Sequence, residues 1–257
     1  TKTWTLLPGD GNKTVFVTYS DQAGNPSADF DAITLDTTAP GGTVSIDNGA
    51  TYTRDVTVTL VLSTTETVGL PLQMQFSDDG VTYTDLEAFA FGKPWVLPGV
   101  PNPGDGEKTV YVLYRNAAGL ISDPITDTII LDGTAPVSTL IINGDDATTN
   151  SITVTLDLTA TELTSPPVTM QFSNDGSTFT DPEPFSASKT WVLTSGDGNK
   201  TVFGAFTDQA DNIAIADDQI IFLSNAPGGS VVIDGGNEDT RDTSVALSLS
   251  VENMVPP

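Results

Sequence analysis

The feature that most constrains this chain is an internal repeat with a period of about 91–96 residues. Three tryptophans, Trp4, Trp95 and Trp191, each stand in a Lys-x-Trp-x-Leu motif and lie 91 and 96 residues apart. A fixed period of this length marks copies of one domain. The chain is therefore expected to fold as a series of similar domains, each with its own core.

Shorter motifs recur around each tryptophan. Gly-Asp-Gly-x-Lys-Thr-Val stands at 9–15, 104–110 and 196–202, and Met-Gln-Phe-Ser-x-Asp-Gly at 74–80 and 170–176. Leu-Asp-x-Thr-Ala-Pro occupies 35–40 and 131–136, with a shorter form at 223–227. Since proline fixes φ and removes a backbone donor, the Ala-Pro pairs indicate stiff, extended joints. We therefore predict a partial repeat over 1–38 that supplies the last three strands of a domain (E to G), complete repeats over 39–134 and 135–225, and a partial repeat over 226–257 that supplies the first two strands (A and B).

Within each repeat the local pattern is that of β-strands. The segments 56–60 and 152–156 alternate apolar residues with threonine, which is typical of a half-buried strand, and turn sequences such as Asp-Asn-Gly separate the strands. No segment has helical periodicity. The repeat length and strand pattern predict an all-β fold of tandem immunoglobulin-like Greek-key β-sandwiches. For the first complete repeat we expect seven strands: A near 43–47, B 56–63, C 72–77, D 81–88, E 93–97, F 108–114 and G 125–131.

Charge and composition exclude several classes of function. Nine Lys and Arg against 34 Asp and Glu give a net charge of −25, which repels nucleic acid and anionic membranes and attracts cations. The same charge also keeps a long protein soluble. The chain has no Cys and no His, so it lacks thiol chemistry and the commonest general base. Because its acidic residues recur from repeat to repeat, whereas a catalytic site is expected to be unique, we predict that the chain is not an enzyme.

The motifs resemble the immunoglobulin-like tandem repeats of large bacterial surface and secreted proteins of the adhesin type. The resemblance is carried by Met-Gln-Phe-Ser-Asn-Asp-Gly at 170–176, Lys-Thr-Trp-x-Leu, Gly-Asp-Gly-x-Lys-Thr-Val, Asp-x-Ala-Gly-Asn and Leu-Asp-Thr-Thr-Ala-Pro, and it covers the whole chain. It implies a secreted or cell-surface stalk, adhesin or fibre. It also implies calcium between domains, since some relatives bind Ca²⁺ there.

The acidic residues at the joints are the candidate metal ligands. In a seven-strand sandwich the E–F loop, the outgoing linker and the B–C loop of the next domain meet at a joint, and Ca²⁺ takes six to eight oxygen ligands. The expected ligands are Asp36, Asp10 and Glu66 at the first joint and Asp132, Asp105, Glu162, Asp208 and Asp211 at the second. In the alternative interpretation these residues form turns and cap strand ends, and Lys13, Lys108 and Lys200 pair with the Gly-Asp-Gly carboxylates. The third joint lacks the linker Asp.

The sequence favours a mechanical role, in which rigid domains act as spacers in an extracellular stalk or fibre. The alternatives are a carbohydrate- or protein-binding module of a secreted enzyme and a filament subunit. Tryptophans packed in the core against strands B and F favour the spacer, whereas exposed aromatic rows favour glycan binding. Expected partners are neighbouring repeats of the same chain or fibre and a host or matrix protein or glycan. Neither end piece can bury its apolar face alone, so we expect one long chain whose missing strands lie outside this segment, with completion by a neighbouring molecule as the alternative.

Overall fold

The computed structural model describes residues 1–98, 104–224, 226 and 228–252. Its contacts divide the chain into two units, Thr1–Thr134 with Gln209–Asn212, and Ala135–Asp208 with Ile213–Pro257. The Gly- and Pro-rich segment 98–104, the third joint at 225–227 and the terminal Pro-Pro pair fall wholly or partly outside the described residues.

The first unit consists of a two-stranded hairpin followed by a complete β-sandwich. The hairpin strands are β1 (Gly11–Ser20) and β2 (Pro26–Leu35). The sandwich strands are β3 (Gly42–Ile46), β4 (Tyr52–Thr53), β5 (Thr57–Thr64), β6 (Gln73–Ser77), β7 (Glu87–Ala88), β8 (Gly92–Val96), β9 (Gly106–Arg115) and β10 (Ile125–Leu131). They form a three-stranded sheet in the order β3-β5-β8 and a five-stranded sheet in the order β4-β10-β9-β6-β7.

Alternating side chains from the two sheets form the core of this sandwich. Val58, Leu60 and Leu62 of β5 are buried while the residues between them are exposed. They meet Val110, Val112 and other inward-facing residues of the opposite sheet. The Thr-Val-Thr-Leu pattern therefore has the two-residue period of a strand with one buried face, and the prediction of all-β sandwiches is confirmed.

The second unit repeats this architecture and ends in a second two-stranded piece. Its sandwich strands are β11 (Val137–Ile142), β12 (Thr148–Thr149), β13 (Thr153–Thr161), β14 (Thr169–Ser173), β15 (Glu183–Pro184), β16 (Ser188–Val192), β17 (Gly198–Thr207) and β18 (Ile213–Phe222). The sheet orders are β11-β13-β16 and β12-β18-β17-β14-β15. The terminal piece pairs β19 (Gly228–Ile233) with β20 (Leu247–Glu252), joined through a 3₁₀ turn at Asp234–Gly236.

The predicted strand D is wrong in extent. Of the predicted span 81–88, only Glu87–Ala88 pairs with β6. The carboxylate of Asp79 instead accepts hydrogen bonds from the backbone N–H groups of Val81 (2.8 Å) and Thr82 (2.7 Å). These side-chain acceptors hold the segment as a turn, as short polar side chains often do. The short strand β4, which runs parallel to β10, was not predicted.

Strand E forms as β8 in the first sandwich and as β16 in the second, but no strand forms around Trp4. In the sandwiches this strand pairs with strand B, where Trp95 lies opposite Val58 and Trp191 opposite Val154. The piece 1–38 contains no strand B among its described residues, and residues 1–10 are not in a strand there. A strand edge without a partner has nothing to satisfy its backbone groups except water.

Trp95 and Trp191 are partly buried and pack against the cores, as the sequence predicts for these rings. Their rings lie 5.4 and 5.7 Å from those of Phe76 and Phe172 on strand C. The indole nitrogens donate to Asp78 Oδ1 (3.0 Å) and Asn174 Oδ1 (2.8 Å). The predicted contact with strand B is therefore present as a ladder pair, and the main aromatic contact is with strand C.

An aspartate on strand G, which is β10 in the first sandwich and β18 in the second, joins the two sheets. Asp127 Oδ2 accepts the backbone N–H of Ile46 at 2.7 Å, and Asp218 Oδ2 accepts that of Ile142 at 2.8 Å. Each carboxylate therefore accepts a backbone N–H of strand A, which is β3 or β11 and belongs to the opposite sheet. Hydrogen bonds that involve a charged group are stronger than neutral ones, so this contact fixes strand A against strand G.

Candidate functional site

At the first joint, Asp10 holds the linker that follows β2. Its Oδ1 accepts the backbone N–H and the hydroxyl of Thr37 at 2.8 and 2.7 Å, and its Oδ2 accepts the hydroxyl of Thr38 at 2.7 Å. The Thr38 hydroxyl, followed by the two Thr37 groups, lowers the pKa of Asp10. Every oxygen of this carboxylate therefore already has a protein donor.

The same contact recurs in the other two copies of the Gly-Asp-Gly motif. Asp105 accepts the N–H of Gly133 (2.8 Å) and the hydroxyl of Thr134 (2.5 Å). Asp197 accepts the N–H and hydroxyl of Ser224 at 2.7 and 2.6 Å. The motif thus ties the E–F loop to the outgoing linker. Asp10 and Asp105 form no ion pair with Lys13 or Lys108 among the described residues, and the predicted pairing of Asp197 with Lys200 stays a prediction.

Glu66, in the loop after β5, caps its own loop. Its Oε1 accepts the N–H groups of Thr67, Val68 and Gly69 at 2.9, 2.9 and 3.1 Å. Burial raises the pKa of Glu66, but the three N–H groups and the side-chain amide of Asn116 together lower it by more, and the net shift is downward. Glu162 makes the same cap in the second unit, with the N–H groups of residues 163–165. Both glutamates therefore cap the loop that follows strand B in their own sandwich.

The side-chain amide of Asn116 brings the remaining oxygens of the first joint together. Its Nδ2 donates to Asp36 Oδ2 at 2.7 Å and to the carbonyl of Thr38 at 3.2 Å, and lies 3.5 Å from Glu66 Oε2. Its Oδ1 accepts the N–H of Leu120 at 2.9 Å, which fixes the orientation of the amide. Two carboxylate oxygens and one carbonyl oxygen therefore converge on one buried point. Asp10 lies with them on a cavity of about 190 Å³.

The residues predicted for the second joint are distributed over both units. In the first unit, Asp132 is buried, its Oδ1 accepts the N–H of Thr134 at 3.0 Å, and its own N–H donates to the carbonyl of Thr53 at 2.8 Å. Asp211 is exposed, at a φ of 64°. In the second unit Asp208 is buried. This ligand set stays a prediction.

Three residues that make structural contacts, Asn116, Asp127 and Asp218, were not predicted from the sequence. Asn116 occupies the position of Asp21 and Asp208 in the Asp-Gln-Ala motif, so its alignment with two acids was the available signal. Asp127 lies opposite Val110 in the ladder and Asp218 opposite Val202, at positions whose neighbours face the core. An aspartate at an inward-facing strand position is rarely buried without a partner, so its place in the strand pattern was the available signal.

Comparisons with known proteins found likenesses at the level of structure. No protein-family model matches the chain. No curated protein matches it. Among solved structures, one is a tetra-tandem repeat from the extending region of a large adhesion protein, with 19% identity and a TM-score of 0.33, over 84% of this chain and 57% of that one. The chain thus spans just over half of that structure.

Two further structures are also similar to the chain. The fibronectin(III)-like modules of Clostridium thermocellum CbhA have 12% identity and a TM-score of 0.44, over 70% of this chain and 93% of that one. The D00–D0 domain of intimin has 16% identity and a TM-score of 0.32, over 71% and 99%. Bacterial adhesin repeats, fibronectin-like modules and intimin domains are thus among the structures similar to this chain. At these identities the likeness does not extend to what those proteins bind.

In the described part of the chain, no helix is long and apolar enough to cross a membrane.

Proposed function

We propose that this chain is a run of spacer repeats in an extracellular adhesin, stalk or fibre of the cell surface, and that it has no catalytic role. The observation that carries the proposal is the recurrence of one sandwich, with the same strand order and its own core, in both units. The Asp10, Asp105 and Asp197 contacts with the linkers recur in the same way. Separately folded copies, each with its own core and a linker fixed in the same way, suit a spacer in which every domain performs the same role.

The packing of the tryptophans also supports a spacer over a glycan-binding module. A sugar-stacking platform requires an open aromatic face. In both sandwiches the indole ring instead packs against the core and its N–H is hydrogen-bonded to the Asp78 or Asn174 side chain. The ring that would stack on a sugar therefore packs against its own domain instead.

Force spectroscopy on the whole chain tests the mechanical role. Pulling from both ends is expected to give two unfolding events. Each should release about 300 Å of contour, since about 90 residues extend by roughly 3.3–3.6 Å each. Unfolding without measurable force would contradict the spacer role. Micromolar binding in a glycan array would favour the accessory module instead.

We further propose that Ca²⁺ binds at the first joint, at Asp36, Glu66 and the carbonyl of Thr38, with Asp10 at the edge of the same cavity. Carboxylate and carbonyl oxygens are the ligands that Ca²⁺ prefers. The oxygens now surround the amide nitrogen of Asn116, so an ion would have to displace it. This competition, with few carboxylates, favours weak binding in the range of extracellular modules, about 10⁻⁴–10⁻³ M. The set Asp132, Asp105, Glu162, Asp208 and Asp211 belongs to the same proposal at the second joint.

Calorimetric titration with CaCl₂ tests the calcium proposal. Asp36→Ala is expected to remove binding at the first joint and Asp132→Ala at the second. Asn116→Asp should tighten binding at the first joint, because it adds a carboxylate and removes the competing donor. Chelation should lower the melting temperature of the wild type, since an ion bound only to the native state stabilises it. No heat of binding at millimolar Ca²⁺ in either the wild type or Asn116→Asp would exclude calcium at this joint.

A further inference from the structure

The second complete sandwich has an open strand edge along β18. All residues of this strand, Ile213–Phe222, pair with β17 on one side. On the other side β12 pairs only with Ile221 and Phe222, and no other strand of the described chain joins β18 there. Residues 213–219 therefore form a free edge inside a domain whose own core is complete.

The hydrogen bond beside β12 shows which backbone groups face this edge. The N–H of Ile221 donates to the carbonyl of Ala147 at 3.1 Å, so it is directed away from β17. Successive residues of a strand direct their N–H and C=O groups to alternate sides. The backbone groups of Ile213, Ile215 and Asp217 therefore face the open edge as well.

The side chains of these three residues are exposed together. Ile213 is 57% exposed, Ile215 is 56% exposed, and Asp217 is also exposed. The next outward N–H, that of Gln219, donates to Oδ1 of Asp218 at 2.8 Å, so the open stretch ends there. Bare backbone groups beside exposed isoleucines are a combination that sheet edges usually avoid.

The first sandwich protects the same stretch of its strand G. Counted back from the aspartate that each strand G carries, Pro124 stands at the position of Ile215. Proline has no N–H to offer, and it is one of the residues that close a sheet edge to further strands. β10 begins only at Ile125, two residues before its aspartate, whereas β18 begins at Ile213, five residues before its own. The open edge is therefore specific to the second sandwich and is not a general property of the repeat.

We propose that the edge of β18 binds an extended, basic segment of a partner protein, which adds to the sheet as a strand antiparallel to β18. A free strand edge is recognised through main-chain hydrogen bonds, and alternate side chains supply specificity. Apolar side chains of the partner would lie opposite Ile213 and Ile215. A lysine or arginine would lie opposite Asp217, because opposite charges at facing positions stabilise a strand pair.

The charge of the chain supports a basic partner over a second copy. The net charge of −25 attracts a basic segment, whereas it repels another molecule of the same chain. The proposal goes beyond the spacer role, since it concerns an edge that only one of the two complete sandwiches leaves open. It depends neither on calcium nor on resistance to force, so it can fail without them.

NMR titration of the intact chain with the synthetic peptide Lys-Thr-Lys-Thr-Val-Thr-Val tests the binding. In the antiparallel register its second lysine faces Asp217, and its two valines face Ile215 and Ile213. The amide signals of Ile215 and Asp217 are expected to move, because their N–H groups gain acceptors. The amide signal of Thr126, at the matching position of β10, is the internal control and should stay in place.

Ile215→Pro tests the main-chain hydrogen bonds. The change removes an N–H that β17 does not use, and Pro124 stands at the same position in the first sandwich, so the domain is expected to fold. Binding should weaken about tenfold, as expected for loss of a hydrogen bond. Ile215→Val keeps the N–H and the β-branched side chain, and should bind as the wild type does. Unchanged Trp191 fluorescence verifies the fold of both variants.

Asp217→Lys tests the charge of the partner. It should weaken binding of the basic peptide about fivefold, and it should bind an analogue with glutamates in place of the lysines more tightly than the wild type does. Amide signals of Ile215 and Asp217 that stay in place at millimolar peptide would overturn the proposal. So would equal binding by Ile215→Pro, or equal affinity of the wild type for the two peptides. Self-association of the wild type that Ile215→Pro abolishes would assign the edge to a second copy instead.

Discussion

At the residue scale, single carboxylates hold the linkers and the first strand of each sandwich in place. The carboxylate of Asp10 and of its equivalents fixes a linker, and one oxygen of Asp127 and of Asp218 fixes strand A to the opposite sheet. The acidic composition therefore has a structural use beyond solubility. Because each carboxylate accepts specific N–H groups, replacing it leaves backbone donors unsatisfied.

Asp127→Ala is expected to lower the free energy of unfolding of the first sandwich by about 1–3 kcal/mol, because the N–H of Ile46 loses its acceptor in a partly buried place. Chemical denaturation followed by tryptophan fluorescence measures this. Thr128→Ala, the exposed neighbour on the same strand, is the control and should change stability by less than about 0.5 kcal/mol. Equal effects of the two changes would show that the Asp127 contact is not stabilising.

The Asp79 turn predicts a pH effect at very low pH. The N–H of Thr82, then that of Val81 and the hydroxyl of Ser77, lower the pKa of Asp79 from 3.8 to about 2. Since the folded-state pKa is depressed, the stabilisation is present above pH 3.8 and is lost as pH falls through about 2. Amide NMR signals of Val81 and Thr82 are expected to titrate with that midpoint. Titration near pH 4 would contradict the hydrogen-bonded geometry.

At the element scale, the three tryptophans show how one motif acquires different environments. The motif is the same in each copy, yet only strand E of the complete sandwiches has strand B beside it and Phe76 or Phe172 beneath it. Trp4 is 65% exposed. The contribution of the motif to stability therefore depends on the strands available to receive it.

Trp95→Ala and Trp191→Ala are each expected to destabilise their own sandwich by about 3 kcal/mol, at the lower end for large aromatic truncations because both rings are only partly buried. Trp4→Ala is the matched change in the same motif and should cost less than about 0.5 kcal/mol. Denaturant midpoints of the three variants provide the comparison. A Trp4 effect as large as the other two would mean that its ring is also packed.

At the scale of the whole molecule, stability comes from two separate hydrophobic cores, one in each sandwich. The buried residues of the first sandwich and those of the second form two distinct clusters. In repeat proteins stability is approximately a sum over domains and their interfaces. Substitutions in one core should therefore act mainly on that core.

Leu60→Ala and Leu156→Ala make this testable, because the two leucines hold matching positions and are both fully buried. Each is expected to lower the free energy of unfolding of its own sandwich by about 2–5 kcal/mol. Hydrogen exchange should show faster exchange in β5 for the first variant and in β13 for the second. Faster exchange in both strands for either variant would show that the cores unfold together.

The sequence alone determined the repeat, the fold class and most strand positions. Those features depend on local chemistry: alternation of Val, Leu and Thr sets the strand period, and Gly-, Asn- and Asp-rich turns end the strands. Strand G was predicted at 125–131, where β10 is found. The prediction of strand D was wrong for an equally local reason. The Asp79 side chain accepts the backbone N–H groups of Val81 and Thr82, which the predicted strand would have used to pair with its neighbour.

Only the tertiary structure decided what the acidic residues do. Asp10 and Thr37 are 27 residues apart in sequence, Asp127 and Ile46 81 residues. No local pattern distinguishes an aspartate that accepts a distant N–H from one that binds an ion or faces water. The same holds for Val17 and Val112, which share a motif and differ in burial. A side chain's propensity is local, whereas its partner is supplied by strands that approach only when the sheets pack.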